Sequence, residues 1–188
     1  MVLRELKYAI LGLVNRSPKT GYDITKAFTD SISNFWEAKH SQIYPELHRL
    51  ASEGLIEYKI EIQGEKLEKK VYSITEKGRD ELLNWLLTDE PLPPVPKDSF
   101  RLRLYFAENL SPSATAELIN GQLVRHQRRL EHLKHELHAM EKDGQPPEVF
   151  TSEFCEYLLI LGGIYREQAY IDWINEVKRL TKCAEPNP

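Results

Sequence analysis

Between Ala38 and Ile56 a short stretch with helical spacing runs straight into strict alternation, and few folds accommodate that order. Ile43, Leu47 and Leu50 recur at steps of four and three, the apolar stripe of a helix. Lys39, His40, Gln42, Tyr44, Glu46 and His48 are left to face outward. Ser41 is placed to cap the N-terminus through its hydroxyl, and Gly54 to end the helix at positive φ. A short, capped helix with a polar outer face suits entry into a major groove. An ordinary amphipathic helix has the same pattern, so the neighbouring segments decide.

Upstream, Leu6, Ile10, Leu13 and Val14 predict a first helix ending near Asn15–Ser17. Thr20-Gly21-Tyr22-Asp23-Ile24 opens a second, with Ile24 and Phe28 turned inward and Phe35 and Trp36 closing the segment. Downstream, Ile56, Tyr58, Ile60 and Ile62 alternate with charged or polar residues, as a half-buried strand does. Gly64 turns the chain and Val71–Ile74 returns as its partner. Three helices and a hairpin are the order of a winged helix-turn-helix. The wing tip, Gly64 to Lys70, carries Lys66, Lys69 and Lys70, which suit a phosphate backbone. Gln42 and Tyr44 are expected to approach base edges, with Lys39, His40 and Ser41 fixing the register.

Several motifs resemble the PadR family of bacterial transcriptional regulators: Leu6 to Leu13, the Gly21–Ile24 turn, and Lys39-His40-Ser41-Gln42-Ile43-Tyr44-Pro45-Glu46-Leu47. The wing from Gln63 to Lys70 and the stretch from Asp98 to Phe106 are similar to the phenolic-acid-responsive branch of that family. The resemblance covers nearly the whole chain and adds Tyr22 and Pro45 to the DNA-contact candidates. It implies a homodimeric repressor that binds double-stranded operator DNA before a phenolic acid decarboxylase gene. Release is expected from a small aromatic acid such as p-coumaric or ferulic acid. A PadR-type regulator with another ligand, or a winged helix used for protein–protein assembly, are the alternatives.

Charge is consistent with a local basic patch. The net charge is −4; residues 1–88 carry 13 basic and 13 acidic side chains, and residues 89–188 carry 12 and 16. DNA binding therefore rests on a few placed cations, with acidity elsewhere favouring one docking orientation. Two cysteines, Cys155 and Cys183, make no disulfide framework. The longest apolar stretch, Tyr157 to Tyr165, is about half a membrane span. A cytoplasmic protein without a membrane partner is expected. There is no glycine-rich phosphate loop and no nucleophile elbow, so neither an enzyme nor a cofactor is expected.

The second half is set off by four prolines between Pro91 and Pro96, which favour an extended linker. Before it, Thr75 caps a helix through Leu82, Leu83, Trp85 and Leu86. After it, Phe100, Leu104 and Tyr105 start a new helix. Ser111-Pro112 begins a long one, along which Ile119, Leu123, His126, Leu130, Leu133, Leu137 and Met140 form a heptad seam. That seam is expected to pack on both its own domain and a partner chain. His132, His135 and His138 lie among charged residues, and no ligand set for a metal is expected. In the final helix, Glu156 to Lys178, Arg166, Tyr170 and Trp173 share a face; Gly162 and Gly163 either leave a cavity beside them or permit close helix packing, with Tyr170 and Trp173 as core and Arg166 paired with a glutamate. Arg166 suits a carboxylate, and Tyr170 and Trp173 a phenyl ring. Tyr8, Arg103 and Tyr105 complete the candidate ligand residues.

The expected fold is mainly α with a small β-hairpin. It divides into a winged helix-turn-helix domain over 1–90, a Pro-rich linker over 91–98, a helical dimerisation and effector domain over 99–183, and a tail over 184–188.

Overall fold

The computed structural model describes residues 4–30, 32–36, 39–63, 67–92 and 94–182. The chain divides into two compact units, one through Pro91 and one from Leu92 onward, so the division falls at the first proline of the linker. None of the described helices is long and apolar enough to cross a membrane.

The first unit contains α1 (Glu5–Arg16), β1 (Lys19–Thr20), α2 (Gly21–Asp30), a 3-10 turn at Ile32–Asn34, α3 (His40–Ser52), β2 (Ile56–Gln63), β3 (Leu67–Ile74) and α4 (Glu76–Leu87). Ile10, Leu11, Val14, Ile24, Phe28, Ile43, Leu47, Leu50, Leu55 and Ile56 close around one core. Burying each aliphatic side chain contributes about 1.5–3 kcal/mol. At the start of α2, Thr20 and Asp23 exchange bonds: the Thr20 amide and hydroxyl donate to Asp23 Oδ2, and the Asp23 amide donates to Thr20 Oγ1. Such a reciprocal cap fixes where the helix begins.

Several sequence expectations change here. The sheet has three antiparallel strands in the order β1-β3-β2, since Lys19 and Thr20 pair with Tyr72 and Val71. A two-residue strand leaves no alternation to read. Ser41 does not cap α3: Lys39 occupies the cap position, no side chain bonds there, and Ser41 lies inside the helix. The alternation in β2 marks a strand, but its apolar face leaves the core after Ile56, and Ile62 is 73% exposed. Gly54 ends the α3 region at φ +71° as expected. Thr75 caps α4 by accepting from the Gly78 amide. A Cβ at Gly78 would stand 2.0 Å from the Leu55 carbonyl oxygen, so this close approach requires glycine.

The second unit contains α5 (Ser99–Tyr105), a 3-10 turn at Ala107–Asn109, α6 (Pro112–Met140) and α7 (Ser152–Lys182). Asp98 caps α5 by accepting from the Phe100 and Arg101 amides, so the chain is already committed to helix at the last residue of the expected linker. Ser111 caps α6, with Pro112 in its first turn. The heptad seam of α6 is used within the chain: Ile119, Leu123 and Leu130 join Phe100, Ile171 and Ile174 in one core. α7 starts earlier and ends later than Glu156–Lys178. No cavity opens at Gly163, where a Cβ would meet Leu133 Cδ1 at 3.2 Å; the glycine lets the two long helices approach.

Candidate functional site

The outer face of α3 is assembled by burial of its inner one. Ile43, Leu47 and Leu50 are fully buried, which turns His40, Ser41, Gln42, Tyr44, Pro45, His48 and Arg49 to the surface. Tyr44 is 55% exposed and Tyr22, one residue into α2, is 70% exposed. Tyr44 rests over Gly21, where an added Cβ would come within 2.8 Å of its ring. The start of α2 is thereby held against α3. Lys39 is exposed just before α3. The His40 ring lies 3.4 Å from the Thr29 hydroxyl.

One residue of that expected outer face points the other way. Glu46 is only 8% exposed and pairs with Arg4. The helical wheel was ambiguous there, because Glu46 lies between Ile43 and Leu50, three residues after one and four before the other. Arg49, exposed and one turn beyond Pro45, belongs with the surface residues and was missed. Its place at step seven from Gln42 was the available signal.

Lys66 lies outside the described residues. Lys69 and Lys70 belong to β3, not to a loop tip. Lys70 sits 4.3 Å from the centre of the Tyr58 ring, a cation–π contact that steadies it on the sheet face. Lys69 adds positive charge near Asp23, whose carboxyl is held below its ordinary value chiefly by the Thr20 hydroxyl and amide.

The second unit contains a cleft of about 440 Å³ whose walls include Lys97, Asp98, Phe100, Arg103, Leu118, Gln122, Arg125, His126 and Tyr170. Three cations thus surround aromatic and aliphatic surface. A polar relay crosses it. The Tyr170 hydroxyl donates to Asp98 Oδ2 at 2.5 Å, the His126 ring stacks on Tyr170 with centroids 4.0 Å apart, and His126 Nδ1 lies 2.5 Å from Glu167 Oε2. Burial pushes the Tyr170 hydroxyl far above its ordinary pKa, and the Asp98 carboxylate pushes it further. Burial pushes Asp98 up, but the Tyr170 hydroxyl and two backbone amides outweigh it and hold the carboxyl below its ordinary value.

Among the expected ligand residues, Arg103 and Tyr170 line this cleft together. Arg166 and Tyr105 are exposed and do not line it. Trp173 packs edge-on against Phe100 behind it. Tyr8 lies in the first unit, stacked on Trp85 at 4.6 Å, with its hydroxyl donating to Glu81 at 3.1 Å. Lys97, Arg125 and His126 were not singled out as ligand candidates. The heptad reading took His126 for a seam position, and the two cations stand on separate elements that only the fold brings together. Among the described residues no cluster of three His, Cys, Asp or Glu side chains is arranged to hold a metal.

Residues 10–84 match the family model of the transcriptional regulator PadR-like family, and residues 96–182 match that of the virulence activator alpha C-terminal domain. The chain is 40% identical to the negative transcriptional regulator PadR of Bacillus subtilis (strain 168), over 93% of this chain and 96% of that protein. It superposes on the crystal structure of Bacillus subtilis PadR in complex with operator DNA with a TM-score of 0.89, at 39% identity, covering 95% of this chain and 99% of that one. The crystal structure of the same protein with p-coumaric acid gives 0.85 at 35% identity, with the same coverage of both chains.

Proposed function

The chain belongs to the PadR-like family of transcriptional regulators, and on that premise we propose that it is a DNA-binding repressor that leaves its operator when a phenolic acid binds. The observation that carries this reading is the exposed α3 face of Gln42, Tyr44, Pro45 and Arg49, in a chain similar over nearly its whole length to a repressor solved with operator DNA. Gln42 and Tyr44 read base edges, while Tyr22, Lys39, His40, Ser41 and the wing lysines contact the backbone. The regulated gene is a phenolic acid decarboxylase gene, and the protein works in the cytoplasm.

A homodimer presents one reading helix to each half-site of a palindromic operator. The second unit supports it: α7 leaves Leu158 and Tyr165, two turns apart on one stripe, open to solvent. The phenolic acid binds in the cleft beside Tyr170. Its carboxylate meets Lys97, Arg103 or Arg125, and its ring lies against Phe100 and Leu118. Release requires only that the acid prefer the arrangement that does not bind DNA. A winged helix used for protein assembly is the second reading, favoured by the exposed Tyr58, Ile60 and Ile62 on the wing.

A mobility-shift experiment with the promoter of the nearest phenolic acid decarboxylase gene tests the proposal. A discrete complex that resists random competitor DNA is expected. No complex with that promoter or any genomic fragment removes the repressor reading and leaves the assembly one.

A further inference from the structure

Glu46 is the one acidic residue in the sequence of α3, and it is turned inward. A carboxylate in a helix that lies against a polyanion opposes binding, and a buried one has to be paired. Arg4, the residue before α1, does both jobs with one planar fork. One terminal nitrogen donates to Glu46 Oε1 and the other to Glu53 Oε1 at 2.8 Å. Glu53 closes the C-terminal end of α3, so a single guanidinium spans the middle and the end of the helix. Burial works against the charge of Arg4, yet its bonds to Glu53 and Glu46 hold its pKa above the ordinary value. Arg49 stands 3.8 Å from the other oxygen of Glu46. Arg4, Glu46 and Arg49 line one shallow groove of about 450 Å³ with Ser41, Gln42 and Pro45. The masked Glu46 carboxylate therefore lies directly beside the side chains proposed to touch DNA.

We infer that Arg4 is a positioning residue for DNA recognition, one that neutralises Glu46 and Glu53 beneath the reading face and fastens α3 to the start of α1. This inference rests on the reading of α3 as the DNA-contacting helix. Arg4, Arg49, Glu46 and Glu53 together sum to zero charge. Arg4→Gln makes the group one unit more negative, and Glu46→Gln makes it one unit more positive. Both break the same pair, so both lower the thermal midpoint. Only an electrostatic mask separates them in DNA binding.

The full-length protein is titrated onto operator DNA by fluorescence anisotropy at about 50 and about 200 mM salt, with thermal unfolding followed in parallel. Arg4→Gln is expected to bind about tenfold more weakly at low salt. The deficit shrinks as the Debye length falls below about 10 Å. Glu46→Gln is expected to bind as tightly as wild type or a few-fold more tightly, despite its lower midpoint. Affinities that fall in both variants in step with stability overturn the inference and leave a purely structural pair. A loss in Arg4→Gln that Glu46→Gln in the same chain does not restore overturns it by making Arg4 a phosphate ligand. If Arg4→Gln does not fold, Glu46→Gln alone decides by the same criterion. Wild-type protein without affinity for DNA overturns both this inference and the reading beneath it, whereas wild-type binding with the wrong order among variants overturns this one alone.

Discussion

The two units use apolar sequence differently. In the first, four helices and the root of the sheet close around one core, and what remains on α3 is polar and open to contact. In the second, α6 and α7 meet along a single seam. That seam leaves Leu158, Leu159, Tyr165 and Leu180 of α7 and Val124 of α6 exposed, while the polar groups Asp98, His126, Glu167 and Tyr170 are drawn together inside. The first unit closes its core but leaves Tyr58, Ile60 and Ile62 of β2 open on the sheet face. The exposed apolar residues of α7 suit contact with a second copy, as in the homodimer proposed above. The difference teaches that the contact face of α3 is polar and set by the core beneath it, whereas the open face of α7 is apolar and left over from its seam.

The largest expected effects come from the cores, and they test whether both units rest on internal packing. Leu47→Ala and Ile174→Ala remove fully buried side chains, and each should cost about 2–5 kcal/mol, read as a lower thermal midpoint. A neutral Ile174→Ala would mean that the seam of α6 and α7 is not the support of the second unit. Replacing Leu158 and Tyr165 together by glutamine should leave that core intact but give monomers in sedimentation at micromolar concentration. Operator affinity should then fall by more than tenfold, since one half-site has too few contacts. Dimers that persist would place the subunit contact on another face.

How much of this the sequence disclosed depends on how local each feature is. α6 runs from Pro112 to Met140 as its cap and spacing predict, because Ser111-Pro112 and the apolar repeat are decided within one helix. Thr75, Gly54, Ile24 and Phe28 are legible for the same reason. What failed was non-local. The face that β2 presents depends on where the core ends, which alternation does not encode. Glu46 looked like surface until Arg4, 42 residues away, came to meet it. The seam of α6 satisfies a heptad equally well for a partner chain or for α7, and the expected packing within its own domain is met by Ile171 and Ile174. In the proposed ligand cleft, Arg103 and Tyr170 are legible as a cation and a ring. Lys97, Arg125 and His126 are not, because they come from the linker end and from α6.

Smaller effects separate reading from holding within the first unit. Gln42→Ala should weaken operator binding by about 1–3 kcal/mol with little change on random DNA. Replacing Lys69 and Lys70 by alanine should weaken both alike and lower the salt slope by roughly one unit per lost phosphate contact. Equal losses on both DNAs for Gln42→Ala would move that residue to a backbone role.

The smallest expected effect concerns the interior polarity of the second unit. Asp98 titrates below its ordinary value, so its contribution to stability is complete above that value and fades as pH falls through the depressed one. Tyr170 is shifted upward, so its contribution stands below the ordinary tyrosine value and is lost as pH rises through the raised one. Tyr170→Phe removes the bond they share. Its thermal midpoint should lie below wild type by a constant amount between about pH 5 and 9, with the gap narrowing toward acid. A gap that does not change below about pH 4 would mean the hydroxyl leaves Asp98 unaffected.

The central claim is tested most directly by titrating p-coumaric acid into a complex of the wild-type protein with its operator, followed by fluorescence anisotropy. The account predicts tight binding that random DNA does not match. It also predicts full release at micromolar to millimolar acid, retained in Arg166→Ala and lost when Lys97, Arg103 and Arg125 are replaced together by alanine, a variant that should still bind the operator. Protein that prefers its operator but stays on it in saturating phenolic acid would contradict the account.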